Sequence, residues 1–278
     1  MTNSDTRVWL ITGASSGFGR AIAEAALARG DSVAAGARST EAFGGLPDGA
    51  HPLALNVTAA DQREAAVAET LERFGRIDVL VNNAGRTQVG AVEETTDQEL
   101  RSLFELHFFA PAALTRLVLP HMRRQGGGAI VQMSSVGGQT TAPGFGAYCA
   151  TKFALEGLTE TLRDEVGGYG IVTVIVEPGA FRTGLFRPGA AYESEAMPEY
   201  ADTVGPTRAY VQGNDGLQPG DPAKAAHAIL AVLDADKPPL RLVLGADAIE
   251  TIERRLERVS DELAAWRALG EATAAEER

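Results

Sequence analysis

A tyrosine and a lysine stand four positions apart in the run Tyr148-Cys-Ala-Thr-Lys152. Residues four apart share one face of a helix, so a helical conformation here places a phenol beside an ammonium group. A nearby cation stabilises a phenolate and lowers the pKa of a phenol from about 10 toward neutral pH. This spacing makes Tyr148 a candidate general acid for a carbonyl oxygen. The alternative is an aromatic side chain packed in a helix beside a solvated lysine.

A glycine-rich turn, Thr12-Gly-Ala-Ser-Ser-Gly-Phe-Gly19, follows a short apolar run and precedes an alanine-rich helical pattern. The amides of such a turn and the N-terminus of the following helix can hold a pyrophosphate, and the glycines allow it to approach the backbone closely. The alternative is a glycine-rich turn that binds nothing. We interpret the strand, turn and helix as the opening unit of a dinucleotide-binding fold.

The end of the second apolar run bears on the form of the dinucleotide. Folds that bind a dinucleotide without a 2′-phosphate place an acidic residue there, about 20 residues after the glycines, to accept the ribose 2′-hydroxyl. Here that position holds Ala37, and Arg38 follows it. The missing carboxylate, with an adjacent cation, favours a 2′-phosphate and therefore NADPH over NADH.

Strand-like and helix-like segments alternate along the chain, which predicts a parallel sheet with helices on both faces. The fold class is α/β, a single doubly wound Rossmann-like domain with about seven strands. The helix at 96–124 is expected to break or bend near Pro111, and Ser134 and Ser135 end a strand where ligands of such sheets bind. The predicted strands are 7–12, 32–37, 52–57, 77–82, 129–134, 171–177 and 240–245, and the other predicted helices are 20–29, 60–74, 147–169, 222–233 and one from 247.

We expect one domain over residues 1–278, with its core at 6–245. Residues 183–221 interrupt the alternation with Gly, Pro and scattered aromatics and are expected to form a loop that covers the substrate site or is disordered. Residues 247–270 carry apolar side chains at three- and four-residue steps, which predicts an amphipathic helix. Packing of that helix on its own domain is the favoured interpretation, and a dimer contact is the alternative.

Composition excludes several classes of protein. A net charge of −12 argues against nucleic-acid binding, which needs a basic face. No uninterrupted run of about 18 apolar residues is present, so no membrane segment is expected. The single cysteine, Cys149, allows no internal disulfide and suits a cytoplasmic protein. The four histidines show no metal-ligand spacing, and no metal is expected.

These motifs together resemble the short-chain dehydrogenase/reductase family. The glycine turn, Asn82-Asn-Ala-Gly85, a serine thirteen residues before the tyrosine (Ser135), Tyr148-x3-Lys152 and Pro178-Gly179 with Thr183 occur in the family's order over residues 6–245. The resemblance implies that the nicotinamide dinucleotide contacts Gly13, Ser15, Ser16, Gly17, Phe18, Gly19, Arg38, Asn56, Val57, Asn83, Ala84, Gly85, Tyr148, Lys152, Pro178, Gly179, Phe181 and Thr183.

The same resemblance implies the catalytic roles. Tyr148 is the implied proton donor and acceptor, Ser135 the hydroxyl that orients the substrate carbonyl, and Lys152 the residue that binds the nicotinamide ribose and lowers the pKa of Tyr148. The chain departs from the family at His107, where an Asn that binds a relay water is usual. Neutral imidazole can also hold a water, so we expect a modified proton relay through His107. The alternative is that His107 only packs in its helix.

The sequence therefore predicts a cytoplasmic NADPH-dependent oxidoreductase that reduces a ketone or aldehyde to an alcohol, reversibly. Its substrate is expected to be small and largely apolar, and the protein is expected to form a homodimer or homotetramer. Two alternatives remain open: an NADPH-binding regulatory or scaffold protein with little turnover, and a redox-assisted epimerase or dehydratase.

Overall fold

Seven strands form one fully parallel sheet in the computed structural model, which describes residues 6–44, 49–187 and 189–275. The order across the sheet is β3-β2-β1-β4-β6-β7-β9, and every neighbouring pair is parallel. These strands are β1 (Val8–Thr12), β2 (Ser32–Ala37), β3 (Ala50–Ala54), β4 (Val79–Asn82), β6 (Gly128–Met133), β7 (Ile171–Pro178) and β9 (Arg241–Leu244). A separate parallel pair joins β5 (Thr87–Val89) to β8 (Ala191–Glu193). The doubly wound sheet of about seven strands is thus confirmed.

Helices cover both faces of the sheet. They are α1 (Gly17–Ala28), α2 (Ala60–Phe74), α3 (Asp97–Phe104), α4 (Ala110–Gln125), α5 (Gly146–Val166), α6 (Ala201–Gly213), α7 (Pro222–Leu233) and α8 (Ala246–Glu271). The chain leaves β1 toward β2 and β3 on one side, and β4 then continues the sheet on the other side. This reversal creates a crevice at the carboxyl ends of β1 and β4, where ligands of open α/β sheets bind.

Alternate side chains of β1 enter two different hydrophobic layers. Trp9 and Ile11 pack with α1 and α7 on one face of the sheet, and Leu10 packs with α2, α4 and α5 on the other. All three side chains are fully buried. Because both faces are covered, this strand appears in the sequence as a continuous apolar run rather than an alternating one.

The helical stretch from 97 to 125 is continuous but changes its winding. Residues Glu105–Phe109 form a π-helical turn between α3 and α4, directly before Pro111. The irregularity predicted near Pro111 is therefore a π turn. An 18-residue window of this stretch has a mean hydropathy of 1.3. By length and composition alone, the stretch is long and apolar enough to cross a membrane. Its buried side chains, among them Leu114 and Val118, pack against the sheet.

The segment at 183–221 has more structure than the sequence predicts. It contains β8 and the 13-residue α6, and a backbone bridge between Phe181 and Gly220 closes its base. Gly205 and Pro206 lie inside α6, where their low helix propensity concealed the helix in the sequence. The expectation of an irregular loop was wrong, because tertiary contacts hold this segment in place.

Most of α8 extends away from the domain. Among the described residues, its buried side chains are Ala248 and Ile252 in the first two turns. Beyond them the predicted apolar stripe is exposed, with Leu256 57% and Trp266 68% accessible. The helix was predicted correctly, but the expectation that its stripe packs on its own domain was wrong for everything after Ile252.

The two-layer core makes a stability prediction. Replacing fully buried Leu10 with Ala removes apolar contacts and leaves a cavity, so Leu10→Ala should lower the free energy of unfolding by about 2–5 kcal/mol. Leu217 is 70% exposed, and Leu217→Ala should change it by less than about 0.5 kcal/mol. Urea unfolding of both variants measures the difference. Equal losses in the two variants would contradict the arrangement of the core.

Candidate active site

A cleft of about 620 Å³ lies across the carboxyl ends of the central strands. This volume falls in the range that holds a dinucleotide or a small ligand. The predicted site residues that line it are Gly13, Ser15, Ser16, Gly17, Phe18, Arg38, Asn56, Val57, Asn83, Ala84, Gly85, His107, Ser135, Tyr148, Lys152, Pro178, Gly179, Phe181 and Thr183. The remaining predicted residue, Gly19, lies behind the glycine turn.

The glycine turn between β1 and α1 could hold an anion. Gly13 and Gly17 have φ angles of +65° and +54°, a backbone conformation that favours glycine. The N-terminus of α1 has no side-chain cap and no acidic residue in its first turn, so its amides face the cleft unneutralised. A Cβ atom at Gly19 would lie 2.4 Å from the carbonyl oxygen of Gly13. Gly19 therefore serves the close packing of α1 against the turn.

Two side chains join the turns that follow β1 and β4. The Thr12 hydroxyl accepts hydrogen bonds from the amides of Asn83 (2.9 Å) and Ala84 (3.0 Å). In return the Asn83 side-chain amide donates to the carbonyl oxygens of Thr12 (2.8 Å) and Gly13 (3.2 Å). These bonds hold residues 83–85 against the glycine turn and form the back wall of the cleft.

Tyr148, Ser135 and Lys152 meet on the floor of the cleft. The Ser135 hydroxyl lies beside the Tyr148 phenol, close enough to lower its pKa as a hydrogen-bond partner. Lys152 is buried, donates from Nζ to the carbonyl oxygen of Met133 (2.8 Å) and lies 5.7 Å from the centre of the Tyr148 ring. The helix and strand elements predicted from the sequence thus bring these three residues together.

The protonation of this group differs from the expectation. Burial raises the pKa of Tyr148 to about 12, and the hydrogen bond with Ser135 opposes this effect only in part. Burial also lowers the pKa of Lys152 to about 8. The lowering of the Tyr148 pKa by Lys152 is not observed in this structure, because desolvation of the phenol is the largest effect and raises the pKa. Tyr148 is held protonated at neutral pH.

His107 lies in the π turn with both ring nitrogens engaged. Nε2 accepts the backbone amide of Arg86 (3.2 Å), so Nδ1 carries the proton and donates to the Thr151 hydroxyl (2.9 Å). Burial, followed by the charges of Lys152 and Arg86, holds the pKa of His107 well below 6.5. A relay water needs a free ring nitrogen, and this geometry offers none. The structure therefore disagrees with the expected relay through His107 and places it as a bridge between the 83–86 turn and α5.

Arg38 and Asn56 border the far end of the cleft. Arg38 follows β2, is exposed, and makes no hydrogen bond or ion pair within the described residues, so its guanidinium is available to a ligand. The Asn56 side-chain oxygen accepts from the amide and the hydroxyl of Thr58. That leaves the amide group of Asn56 as its free donor. Val57 is buried and contributes to the wall.

The segment after β7 forms the opposite wall. Phe181 packs against Phe18 with the two rings tilted and their centres 5.1 Å apart. Thr183 lies against Gly17, where a Cβ atom would come within 3.0 Å of the Thr183 side chain. Asp247, in the first turn of α8, accepts the amide of Ala180 (2.8 Å) and leaves no room for a side chain on Gly179. The start of α8 thus supports the cleft.

Arg86 is a cleft residue that the sequence analysis missed. Its guanidinium lies 4.0 Å from the centre of the Tyr192 ring in β8 and donates to Gln88 and Ser102. Its position directly after Asn82-Asn-Ala-Gly85 was the signal that could have identified it. Arg86 joins β8, and with it the 183–221 segment, to the edge of the site.

A second contact that the sequence did not reveal holds α6 near the cleft. The buried Glu94 carboxylate pairs with Arg208 of α6 (2.7 Å) and accepts the amide of Met197 (2.8 Å). The Thr207 hydroxyl donates to the carbonyl oxygen of Pro143, just before α5. Through these contacts α6 is fixed between the β5 region and the helix that carries Tyr148.

Buried charges lie behind the two serines at the end of β6. The Ser134 hydroxyl donates to Glu156, and Arg241 of β9 pairs with both Glu156 and Glu177. Burial raises the pKa of Glu156, while hydrogen bonds from Ser134 and Arg241 oppose that rise. This network positions Ser134, and the backbone of Ser135 with it.

Comparison with known proteins adds independent findings. The family model described as short chain dehydrogenase matches residues 7–193. The chain is 38% identical over 275 residues to "Oxidoreductase BOA17" of Botryotinia fuckeliana, covering 97% of this chain and 100% of that protein. It superposes on a short-chain dehydrogenase from Streptomyces avermitilis with a TM-score of 0.92 and 57% identity, covering 99% and 100% of the two chains. A short chain dehydrogenase from Burkholderia cenocepacia, in complex with NADP, matches with a TM-score of 0.70 and 25% identity over 96% of each chain.

The environment of His107 makes stability depend on pH. Below about pH 6.5 the unfolded chain binds a proton at His107 that the folded chain does not bind, so acid favours unfolding. This one group should lower the free energy of unfolding by up to about 1.4 kcal/mol for each pH unit below 6.5. Denaturant unfolding between pH 5 and 8 should show that His107→Asn loses part of the wild-type slope. His227→Asn, at an exposed position on α7, is the control and should keep the slope. Identical slopes in the wild type and in His107→Asn would contradict this assignment.

Proposed function

The chain belongs to the short-chain dehydrogenase/reductase family of oxidoreductases, and from this membership we propose that it is an NADPH-dependent reductase of a ketone or aldehyde, able to run in reverse as an alcohol dehydrogenase. The observation that carries the proposal is that the Tyr148 phenol lies beside the Ser135 hydroxyl in the cleft lining, with Lys152 one helical turn away. A substrate carbonyl that reaches both hydroxyls is polarised and protonated at its oxygen.

The cleft residues fit a nicotinamide dinucleotide. The positive-φ glycines and the uncapped N-terminus of α1 provide amides for a pyrophosphate, and the walls at 83–85 and 178–183 enclose the space beyond it. When bound, the nicotinamide supplies or accepts the hydride. The NADP complex of the Burkholderia cenocepacia relative supports this cofactor class.

The choice of the phosphorylated cofactor rests on the end of β2. Ala37 offers no carboxylate to a ribose 2′-hydroxyl, and the exposed Arg38 guanidinium lies at the rim of the cleft. The Arg38 guanidinium would hold a 2′-phosphate there by a charge-assisted contact, and the phosphate would meet no like charge at position 37.

Each proposed catalytic residue has a separate role at the substrate carbonyl. Ser135 donates a hydrogen bond that stabilises negative charge as it develops on the carbonyl oxygen. Tyr148, held protonated by its raised pKa, transfers its proton to that oxygen. Lys152 would stabilise the resulting phenolate and bind the nicotinamide ribose. His107 keeps the 83–86 turn and α5 in register.

The substrate is proposed to be a small, largely apolar carbonyl compound. Aromatic and aliphatic side chains line the cleft, among them Met133 and Phe181 and, from the 183–221 segment, Leu185, Phe186 and Tyr192. The Arg86 guanidinium also lines this part of the cleft, but it is already engaged by Gln88, Ser102 and Tyr192.

An activity assay on a panel of ketones, aldehydes and quinones tests the function, with turnover measured as the loss of NADPH absorbance. Tight NADPH binding without turnover on any carbonyl would favour a regulatory role instead.

Removing the phenolic proton of Tyr148 should abolish carbonyl reduction and leave NADPH binding intact. Tyr148→Phe should reduce kcat to background and leave the Kd for NADPH within about twofold, because only the acidic proton is lost. Tyr169→Phe, at the exposed position after the same helix, is the matched control and should retain wild-type activity. Steady-state kinetics and fluorescence titration with NADPH provide the two readouts. Full activity in Tyr148→Phe would refute the mechanism.

Removing the Arg38 cation should alter cofactor choice. Arg38→Ala should weaken NADPH binding by about tenfold or more, corresponding to one charge-assisted contact, and should leave NADH binding nearly unchanged. Arg101→Ala, an exposed arginine on α3 outside the cleft, serves as the control. The measurement is the ratio of kcat/KM with the two cofactors. An unchanged ratio in Arg38→Ala would show that the 2′-phosphate site lies elsewhere.

A further inference from the structure

The C-terminal helix α8 presents a long apolar stripe that nothing in the described chain covers. From its third turn onward the stripe is exposed, with Val259 38%, Leu263 64% and Trp266 68% accessible. An 18-residue length of helix beyond Ile252 spans about 27 Å. A stripe of large apolar side chains along that length is the kind of surface that marks a protein contact.

The spacing of the stripe indicates what kind of partner it fits. Ile249, Ile252, Leu256, Val259, Leu263 and Trp266 recur at alternating steps of three and four residues. This strict seven-residue repeat makes a narrow seam, whereas a helix that packs on a globular core carries a wider apolar face. A narrow seam of this kind packs against another helix with a matching seam. The seam of a second copy of this chain has that property.

We propose that two copies of this chain associate through α8, with the two helices antiparallel about a two-fold axis between Glu257 and Arg258. In this register Leu256 packs against Val259 of the partner subunit, and Ile249 against Trp266 of the partner subunit. Symmetry repeats both contacts. The exposed seam positions Ile249, Leu256, Val259 and Trp266 then face apolar side chains, and Leu263 lies opposite the turn in which Ile252 packs on its own domain. The two domains lie at opposite ends of the helix pair.

The charges beside the seam agree with this register. Arg255 faces Glu262 of the partner subunit, and symmetry makes a second such pair. The positions on the other side of the seam, Glu253 and Ser260, face each other without like charges. A shift by one seven-residue repeat would place Glu262 against Glu262 of the partner subunit, which is unfavourable. In a parallel pair, both domains would lie side by side at the N-terminal end of the two helices, where Ile252 is already packed in its own domain.

Charged substitutions on the seam test the association. Val259→Glu/Leu263→Glu should halve the mass measured by light scattering after size exclusion, because four carboxylates would be buried in the seam. Ala264→Glu/Ala268→Glu adds the same charges at exposed positions outside the seam and should keep the wild-type mass. Circular dichroism should show that both variants are folded, since every substituted side chain is exposed. An unchanged mass in Val259→Glu/Leu263→Glu would overturn the proposal.

Two further variants test the register. Arg255→Glu should weaken the association, and Arg255→Glu/Glu262→Arg should restore it, because both symmetric ion pairs are then reversed together. In addition, an equal mixture of Leu256→Cys and Val259→Cys should form a disulfide between the two different chains under mild oxidation. The native Cys149 is buried and does not compete. Disulfides formed mainly within each single variant, or no recovery in the charge-swapped variant, would overturn the antiparallel register.

Discussion

The exchange of hydrogen bonds between Thr12 and Asn83 joins the two strands on which the whole cleft depends. The Thr12 hydroxyl accepts hydrogen bonds from two backbone amides of the turn after β4. The Asn83 side-chain amide donates hydrogen bonds to two carbonyl oxygens at the end of β1 and in the turn after it. β1 and β4 are parallel neighbours, but the chain continues from β1 into α1 on one face of the sheet and from β4 toward α4 on the other, so the two turns lead away from each other. Once this link is made, the glycine turn, the 83–85 wall and the π turn that contacts Arg86 occupy fixed relative positions.

The residues that the sequence predicted well are those whose roles depend on local spacing. The glycine turn follows β1, and Tyr148 and Lys152 share a face of α5, because helix and strand periodicity determines both placements. The edge strand β3 began two residues earlier than predicted, because Pro52 is tolerated at the edge of a sheet and did not mark a boundary. The sequence therefore predicted most of the fold and the set of residues that line the cleft.

Features that depend on distant partners could not be read from the sequence. The helix α6 contains Gly205 and Pro206, and its position depends on the ion pair between Arg208 and Glu94, 114 residues apart. The protonation of Tyr148 depends on how deeply its hydroxyl is buried, which no spacing reveals. Likewise, the two partners of His107 come from α5 and from the turn after β4, so its engaged nitrogens became evident only in three dimensions.

The burial of Lys152 has a practical consequence for chemical modification. The chain has three lysines, and Lys152 is held inside the protein on the Met133 carbonyl oxygen. The other two are exposed: Lys224 lies in the first turn of α7, and Lys237 lies four residues after the end of that helix. Amine-directed labels or solid supports would therefore attach, apart from the α-amino group, at one small region of the surface. Immobilised molecules would share a narrow range of orientations and keep the ammonium group of the cleft unmodified.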